Sequence, residues 1–369
     1  MIGDFCMPNL SLAYVSIIAA TCISTATYAG DLRVPSQYRT PQAAVNAATT
    51  GDVVLLAPGV HAGPVDCLGK AITLRGEGAS GTTILSGGAS VLRFTTNETS
   101  STIVENLTIS GGTGNEGAGV RIINAAPLLR NCRIISNVAA GAITCRGGGV
   151  FVSGGSPRFE ACLIGGNTVQ SSGGPAHGGC NSGDQATSNG YGAGMYIENA
   201  AVTIIGTTIS GNLLHGSASG CNAGVMAMGG GVYKIGNGPL LLENCIITSN
   251  VVEAFASAGC NAPCCSATGG GLFLTAPATI RGCRISGNSQ TGCGTLVGGI
   301  RFESAGIVVD STRICGNTPS NLTGAFIDAG GNLVAIECPA NCAADVNQDG
   351  KVDGVDLAAI LTSWGACAP

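Results

Sequence analysis

The chain has 369 residues and a formal net charge of −5; 10% of it is charged, 45% hydrophobic and 4% aromatic, and 60 residues are glycine. That balance, with no local cluster of Lys or Arg, gives no electrostatic footprint for nucleic acid. So much glycine and so few aromatic rings exclude a core of large side chains and point to thin strands of Val, Ile, Leu, Ala and Cys with glycine at the corners.

In chain order, residues 1–29 read as an export signal: 10–22 is an apolar run, and Thr27-Tyr28-Ala29 resembles a small-residue cleavage site before Gly30. The run is short for a bilayer span, and no later stretch is long and apolar enough to cross. A secreted, extracellular or cell-surface protein is expected. Thr40-Pro41 then opens a short helix, with Thr as N-cap, Pro at the first position, and Ala44, Val45 and Ala48 on one face; Gly51 stops it. Strand-like runs follow at 53–56, 72–75, 82–85, 91–94 and 103–109. A helix before the strands is what a parallel solenoid needs to cover its first open coil.

From residue 117 the chain repeats. A glycine triplet opens a short apolar run, and Ile-x-x-Asn closes it, in six copies at 117–137, 147–167, 192–212, 229–250, 269–288 and 297–317. Each copy is 20 to 22 residues long, while the stretches between them vary from 8 to 24. A constant module with elastic insertions is the signature of a solenoid whose loops bulge at one corner. After each triplet, period-two alternation turns the outer pair of residues inward and the middle one outward. Lys234 interrupts this pattern and is expected at the strand's end. The closing asparagines should fall one above another, about 4.8 Å apart, bonding amide to amide and tolerating left-handed backbone angles.

Sixteen of the 18 cysteines follow the signal, which in an exported protein suggests disulfides. Cys132, Cys162, Cys245 and Cys283 share one repeat position with Thr207 and Thr312, and read as an inward stack of small side chains. Cys145, Cys180, Cys221, Cys260, Cys264, Cys265 and Cys293 lie in insertions and read as loop staples.

The segments Pro41-Gln42-Ala43-Ala44, Gly51-Asp52-Val53-Val54, Ala57-Pro58-Gly59 and Ile72-Thr73-Leu74-Arg75-Gly76 resemble the start of right-handed parallel β-helices of the pectin-lyase-like superfamily. The Gly-Gly-Gly-Val and Ile-x-x-Asn repeats are also similar to those of adhesin-type and polymorphic outer-membrane β-helices. The resemblance spans roughly residues 34–335. It implies the fold, an all-β right-handed parallel β-helix solenoid with an N-terminal helical cap, but no single activity, since that superfamily holds lyases, hydrolases, esterases, epimerases and adhesins.

The tail carries different chemistry. Asp345, Asn347, Asp349, Lys351, Asp353 and Asp356 fall in a twelve-residue loop with Gly350 at its sixth position. Alternating hard oxygens that curl round one point, with glycine at the sharp bend, suit Ca²⁺; Lys351 would offer its backbone carbonyl. An amphipathic helix at 357–364 follows. Aspartate at the twelfth position resembles the loop-helix of type I dockerins. Dockerins carry two such loops and this chain has one, which puts cohesin docking in doubt without weakening calcium binding. Cys342 and Cys367 bracket the unit, leaving Cys338 to pair back into the solenoid. The expected organisation is a signal at 1–29, a capped β-helix at 30–337 and a dockerin-like calcium unit at 338–369.

The outward positions after the triplets read Arg121, Phe151, Tyr196, Tyr233, Phe273 and Arg301, with no acid. Sugar faces stack on aromatic rings, and arginines hold uronate or sulfate bidentately, so this stripe could bind a glycan. The plainer reading is that the rings stack on one another or lie beneath the insertions. His61, His177 and His215 sit in turn or insertion sequence and read as solvated loop residues. The leading expectation is a secreted or surface β-helix that binds extracellular glycans or partners. The alternative is a polysaccharide lyase or glycoside hydrolase acting on acidic polysaccharide such as pectin.

Overall fold

The computed structural model describes residues 30–173, 186–220, 223–258 and 264–338, with Gly354, Leu357, Ala358 and Leu361 in helical backbone. The export signal and the six proposed calcium ligands lie outside the described residues. Strands stack in parallel into sheets of 11, 10 and 9 strands, forming a right-handed parallel β-helix. One turn of chain runs through Val150–Gly155, Arg158–Glu160 and Leu163–Gly165 before the next begins at Met195–Glu198. These strands belong in turn to what we call the glycine sheet (9 strands), the charged sheet (11) and the isoleucine sheet (10).

The Ile-x-x-Asn signature explains both the third sheet and the corner after it. Leu85, Ile109, Ile134, Ile164, Ile209, Ile247, Ile285 and Ile314 share one register column, all fully buried. Three residues beyond each isoleucine of the repeats, Asn137, Asn167, Asn212, Asn250, Asn288 and Asn317 form a continuous buried ladder. Each side-chain amide donates to the Oδ1 of the next asparagine at 2.8 to 3.0 Å. The left-handed angle expected of the asparagine falls one residue earlier, at Ser136 (φ 55°), Gly166 (φ 60°) and Ser249 (φ 56°). The turn is made before the ladder, which leaves the asparagine extended and free to bond along the rod axis. The glycines follow from this packing. A Cβ on Gly149 would stand 2.6 Å from the Gly194 carbonyl oxygen and 2.8 Å from the Asn167 amide nitrogen, so the ladder itself requires glycine opposite it.

The helix Pro41–Ala47 covers the first coil, burying Pro41, Ala44 and Val45. The Thr40 hydroxyl accepts from the Ala43 N–H at 3.2 Å, as an N-cap does. Lys70 donates at 2.8 Å to the carbonyls of Val45, Asn46 and Ala48, placing a cation at the negative end of the helix.

The insertions depart from expectation. They do not bulge as separate loops: the first four run out and back as two strands that stack on those of neighbouring turns, and the last adds only an outgoing strand, giving an outgoing sheet of 5 strands and a returning sheet of 4. Between these sheets lies a second core of small residues, including Ala139, Cys145, Val169, Leu214, Val225, Ala227, Val252, Ala254 and Ala267. Ser171 and Ser188, both fully buried, bond across it at 2.8 Å. The rod therefore carries a thin fin along its central turns, its width set by Ala, Gly and Ser.

Cys132, Cys162, Cys245 and Cys283 are free and buried in the main core, as their shared position implies. Cys265–Cys293 and Cys315–Cys338 are disulfides, the second returning to the solenoid. Cys145 is a free thiol inside the fin rather than a staple; small-residue packing holds that turn instead. Cys180, Cys221 and Cys260 lie outside the described residues.

Candidate functional site

The glycine sheet aligns Asp66, Arg93, Arg121, Phe151, Tyr196, Tyr233, Phe273, Arg301 and Thr323 in one outward column. Its four rings stack face to face, with centroids 5.2 to 5.4 Å apart and planes within 4° to 8° of parallel. The returning sheet of the fin sets a second column against them: Glu116, Arg146, Tyr191, Met228 and Thr268. Tyr191 lies 4.9 Å from the Tyr233 ring, and the Arg146 guanidinium 5.4 Å over Tyr196. Phe151, Tyr196, Tyr233 and Phe273 are consequently only 4% to 6% exposed. Ring faces meet other rings, and ring edges meet the fin, so the stripe does not offer the open platform on which a sugar would stack. Burial pushes the Tyr196 phenol up to about 12 and raises those of Tyr191 and Tyr233.

What remains accessible is at the ends. Where the fin stops, Asp66, Arg93, Glu116 and Arg121, with Ser90 beside them, line a cleft of about 280 Å³. Glu116 receives Arg121 at 3.3 Å and Arg146 at 3.5 Å. Arg121 lies 5.8 Å over the Phe151 ring, and its Nε is buried without a hydrogen-bond partner. Arg301, at the other end of the ladder, is held by Glu303 at 2.6 Å. The structure thus brings Arg121 together with Arg93 and leaves Arg301 about 24 Å away, five rungs further along.

On the charged sheet, Arg75, Glu105, Arg130 and Glu160 alternate in register, and so do Glu243, Arg281 and Asp310. Glu105 bonds to both Arg75 and Arg130, and Asp310 receives Arg281 Nε at 2.9 Å. Burial works against ionisation of Glu105, yet the hydrogen bonds from Arg130 and Arg75 hold its carboxyl below the usual range. Asp310 is likewise held low, by Ser311 and then Arg281. The ladder's signal is charge of opposite sign at equivalent repeat positions, and it emerges only once the register is known.

Three residues sit elsewhere than the sequence implies. Lys234 points into the core in the column of Ile122, Val152, Ile197 and Leu274, fully buried. Its ammonium reaches the carbonyls of Ile235 and Asn237 at 3.3 and 3.1 Å, which replaces part of its lost hydration, and burial brings it down to about 8. His61 lies in the strand Gly59–Ala62, buried, against the Ala57 carbonyl at 2.7 Å. His215 belongs to a fin strand and meets Glu253 of the next turn at 3.1 Å; its acidic partner is 38 residues away, beyond any local pattern. His177 lies outside the described residues.

Among the described residues, no group of three or more His, Cys, Asp or Glu could hold a metal ion, and no helix is long and apolar enough to cross a membrane. No family model matches the sequence, and no curated protein matches it. Among solved structures, a pectin methylesterase from carrot is similar at 10% identity and a TM-score of 0.42, over 81% of this chain and 88% of that one.

Proposed function

We propose that this protein is an exported binding protein, a β-helical rod that engages acidic glycans or similarly charged partners through arginines on its glycine sheet. The observation that carries the reading is the cleft at the end of the fin, where Arg93 and Arg121 stand one rung apart. Standing on strands about 4.8 Å apart, the two arginines suit planar carboxylate or sulfate groups, which arginine takes bidentately. In this reading Arg121 makes the contact at the cleft and Arg301 adds a second point of attachment. Phe151, Tyr196, Tyr233 and Phe273 act beneath them as the stack that fixes their spacing.

Binding without turnover is favoured by the state of the carboxylates. A glycosidase acid has to hold its proton near neutral pH, whereas Glu105 is held low by Arg130 and Arg75 against its burial, and Asp310 by Ser311 and then Arg281. The tail adds a calcium unit on the strength of its sequence pattern: Asp345, Asn347, Asp349, Lys351, Asp353 and Asp356 around one Ca²⁺. The test is a glycan array on the mature protein together with assays for unsaturated uronide and new reducing ends. Retention of acidic glycans without product, weakened by Arg93→Gln and Arg121→Gln, supports the reading. Turnover of any of them transfers the protein to the polysaccharide lyases or hydrolases.

A further inference from the structure

The charged sheet has a polarity along the rod. Its first ten rungs run from Asp31–Val34 to Ile307–Asp310. In one outward column the first five rungs carry Arg33, Arg75 and Arg130 with Glu105, and the last five carry Glu160, Glu243 and Asp310 with Arg281. Three arginines against one acid make the first half positive, and three acids against one arginine make the second half negative by the same amount. Leu55 and Ile205 fill the two remaining rungs. The neighbouring outward column is largely apolar, with Val53, Ile103, Leu128, Leu241 and Val308 half-buried. The fin leaves the rod at the opposite corner, between the isoleucine and glycine sheets, and does not cover this face.

We infer that this face pairs with a second copy of the rod, turned end for end about a two-fold axis between the Arg130 and Glu160 rungs. The charged column then lies on the partner's charged column in reverse order, and the apolar column on the apolar column. Arg33 meets the partner's Asp310, Arg75 the partner's Glu243, and Arg130 the partner's Glu160. Leu55 and Ile205 take the partner's Arg281 and the partner's Glu105, so no like charges meet. A shift of one rung sets Arg33 against the partner's Arg281 and Glu105 against the partner's Glu160, and a shift of two shortens the overlap. Charge and length together fix the register. Rods laid parallel would instead set charges on the apolar column. Each of these charges already has an ion-pair partner on its own rod, and so enters the contact paired rather than bare. Ten rungs about 4.8 Å apart, each about four residues of 3.3 Å, cover ~1,200 Å² over both copies, the lower end of stable interfaces. The inference stands apart from the acidic-glycan reading. Where both hold, the pair carries one Arg93–Arg121 cleft toward each end and binds a glycan bivalently.

Sedimentation equilibrium of the full mature chain, without glycan, tests the pairing. The native protein is expected at twice the mass of one chain, dissociating more readily in about 1 M salt, where the charges are screened. Leu241→Arg puts an unmatched charge into the apolar column twice per pair, and is expected to weaken association about hundredfold. Phe255→Arg, on the outer face of the fin, should leave it unchanged. Arg33→Glu sets a like charge against the partner's Asp310 and should weaken association about tenfold, with Arg33→Glu combined with Asp310→Arg restoring it. Arg33 is exposed, so this second probe decides the matter even if Leu241→Arg does not fold. Orientation is read by mixing an Ile103→Cys chain with a Thr203→Cys chain, since those positions face each other in the pair. Copper-phenanthroline oxidation should link the mixture into a covalent dimer and leave either variant alone unlinked. A native protein that is monomeric at micromolar concentration overturns the inference. So does a dimer broken by Phe255→Arg but not by Leu241→Arg, or one whose mixed variants do not cross-link. Loss of glycan retention with the dimer intact removes the binding reading and leaves the pairing standing.

Discussion

Asn212 donates both its backbone N–H and its side-chain amide to the Oδ1 of Asn250, at 3.1 and 2.8 Å, and its own Oδ1 accepts the same pair of bonds from Asn167. A residue in mid-ladder is therefore bonded above and below, with no water to replace a lost partner. Asn212→Ala should destabilise the protein by about 3–5 kcal/mol, because it strands several buried polar groups at once. Asn237→Ala, on an exposed turn, should change stability by less than about 0.5 kcal/mol. Denaturant midpoints of the two variants check this; equal midpoints would remove the ladder from the account.

Lys234 makes stability depend on alkaline pH in an uncommon direction. Burial brings its ammonium down to about 8, against 10.5 in the unfolded chain. Between those values the unfolded chain binds more protons, so stability supplied through this residue rises with pH across that window. Relative to Lys234→Met, the native protein should gain stability between pH 8 and 10. Taking the difference cancels the opposing contribution of Tyr191, Tyr196, Tyr233, Cys67 and Cys145, which burial raises. A flat or falling difference contradicts a buried ammonium.

The triplets, the asparagines and the inward Cys132/Cys162 and Cys245/Cys283 positions were legible because each is fixed by a turn of constant circumference. The fin was not. Its strands, such as Leu213–Gly220 and Val251–Ala258, are rich in Gly, Ala and Ser, which have little strand preference of their own; they are extended because the turns above and below supply hydrogen bonds. The sequence leaves Tyr196 and Tyr233 open either to glycan or to stacking beneath the insertions, and the fin decides for the second. Alternation correctly placed them outside the main core, but only the fin determines that outside is not solvent. Lys234 also defeats pattern reading, since what receives it is backbone carbonyl, of Ile235 and Asn237, which no side-chain pattern records.

The thiols give a third test. Cys67, Cys132, Cys145, Cys162, Cys245 and Cys283 are free and buried, and burial raises the Cys67 thiol and brings that of Cys145 up to about 11. Neither shielding nor thiolate content favours reaction. Alkylation of the folded protein should leave these six unlabelled, and denaturation should expose them together. Peptide mapping should recover Cys265 linked to Cys293 and Cys315 linked to Cys338. Rapid labelling of Cys145 in the folded state would contradict the fin's closed interior.

Calcium removal should act locally. If residues 345–356 hold one ion, chelation should make 338–369 sensitive to protease while the solenoid keeps its melting temperature, and Asp349→Asn should reproduce the effect in calcium. Unfolding of the whole rod on chelation would contradict the division between solenoid and tail.

The fin covers the aromatic column, and for that reason the proposed function assigns recognition to arginines rather than rings. Hydroxyl-radical footprinting of the folded protein tests it within one molecule, since Phe255 on the fin's outer face is 49% exposed while Phe151, Tyr196, Tyr233 and Phe273 are 4% to 6% exposed. The expected result is oxidation of Phe255 with the four stacked rings protected. Oxidation of Tyr196 and Tyr233 as fast as Phe255 would show an open stripe and contradict the account.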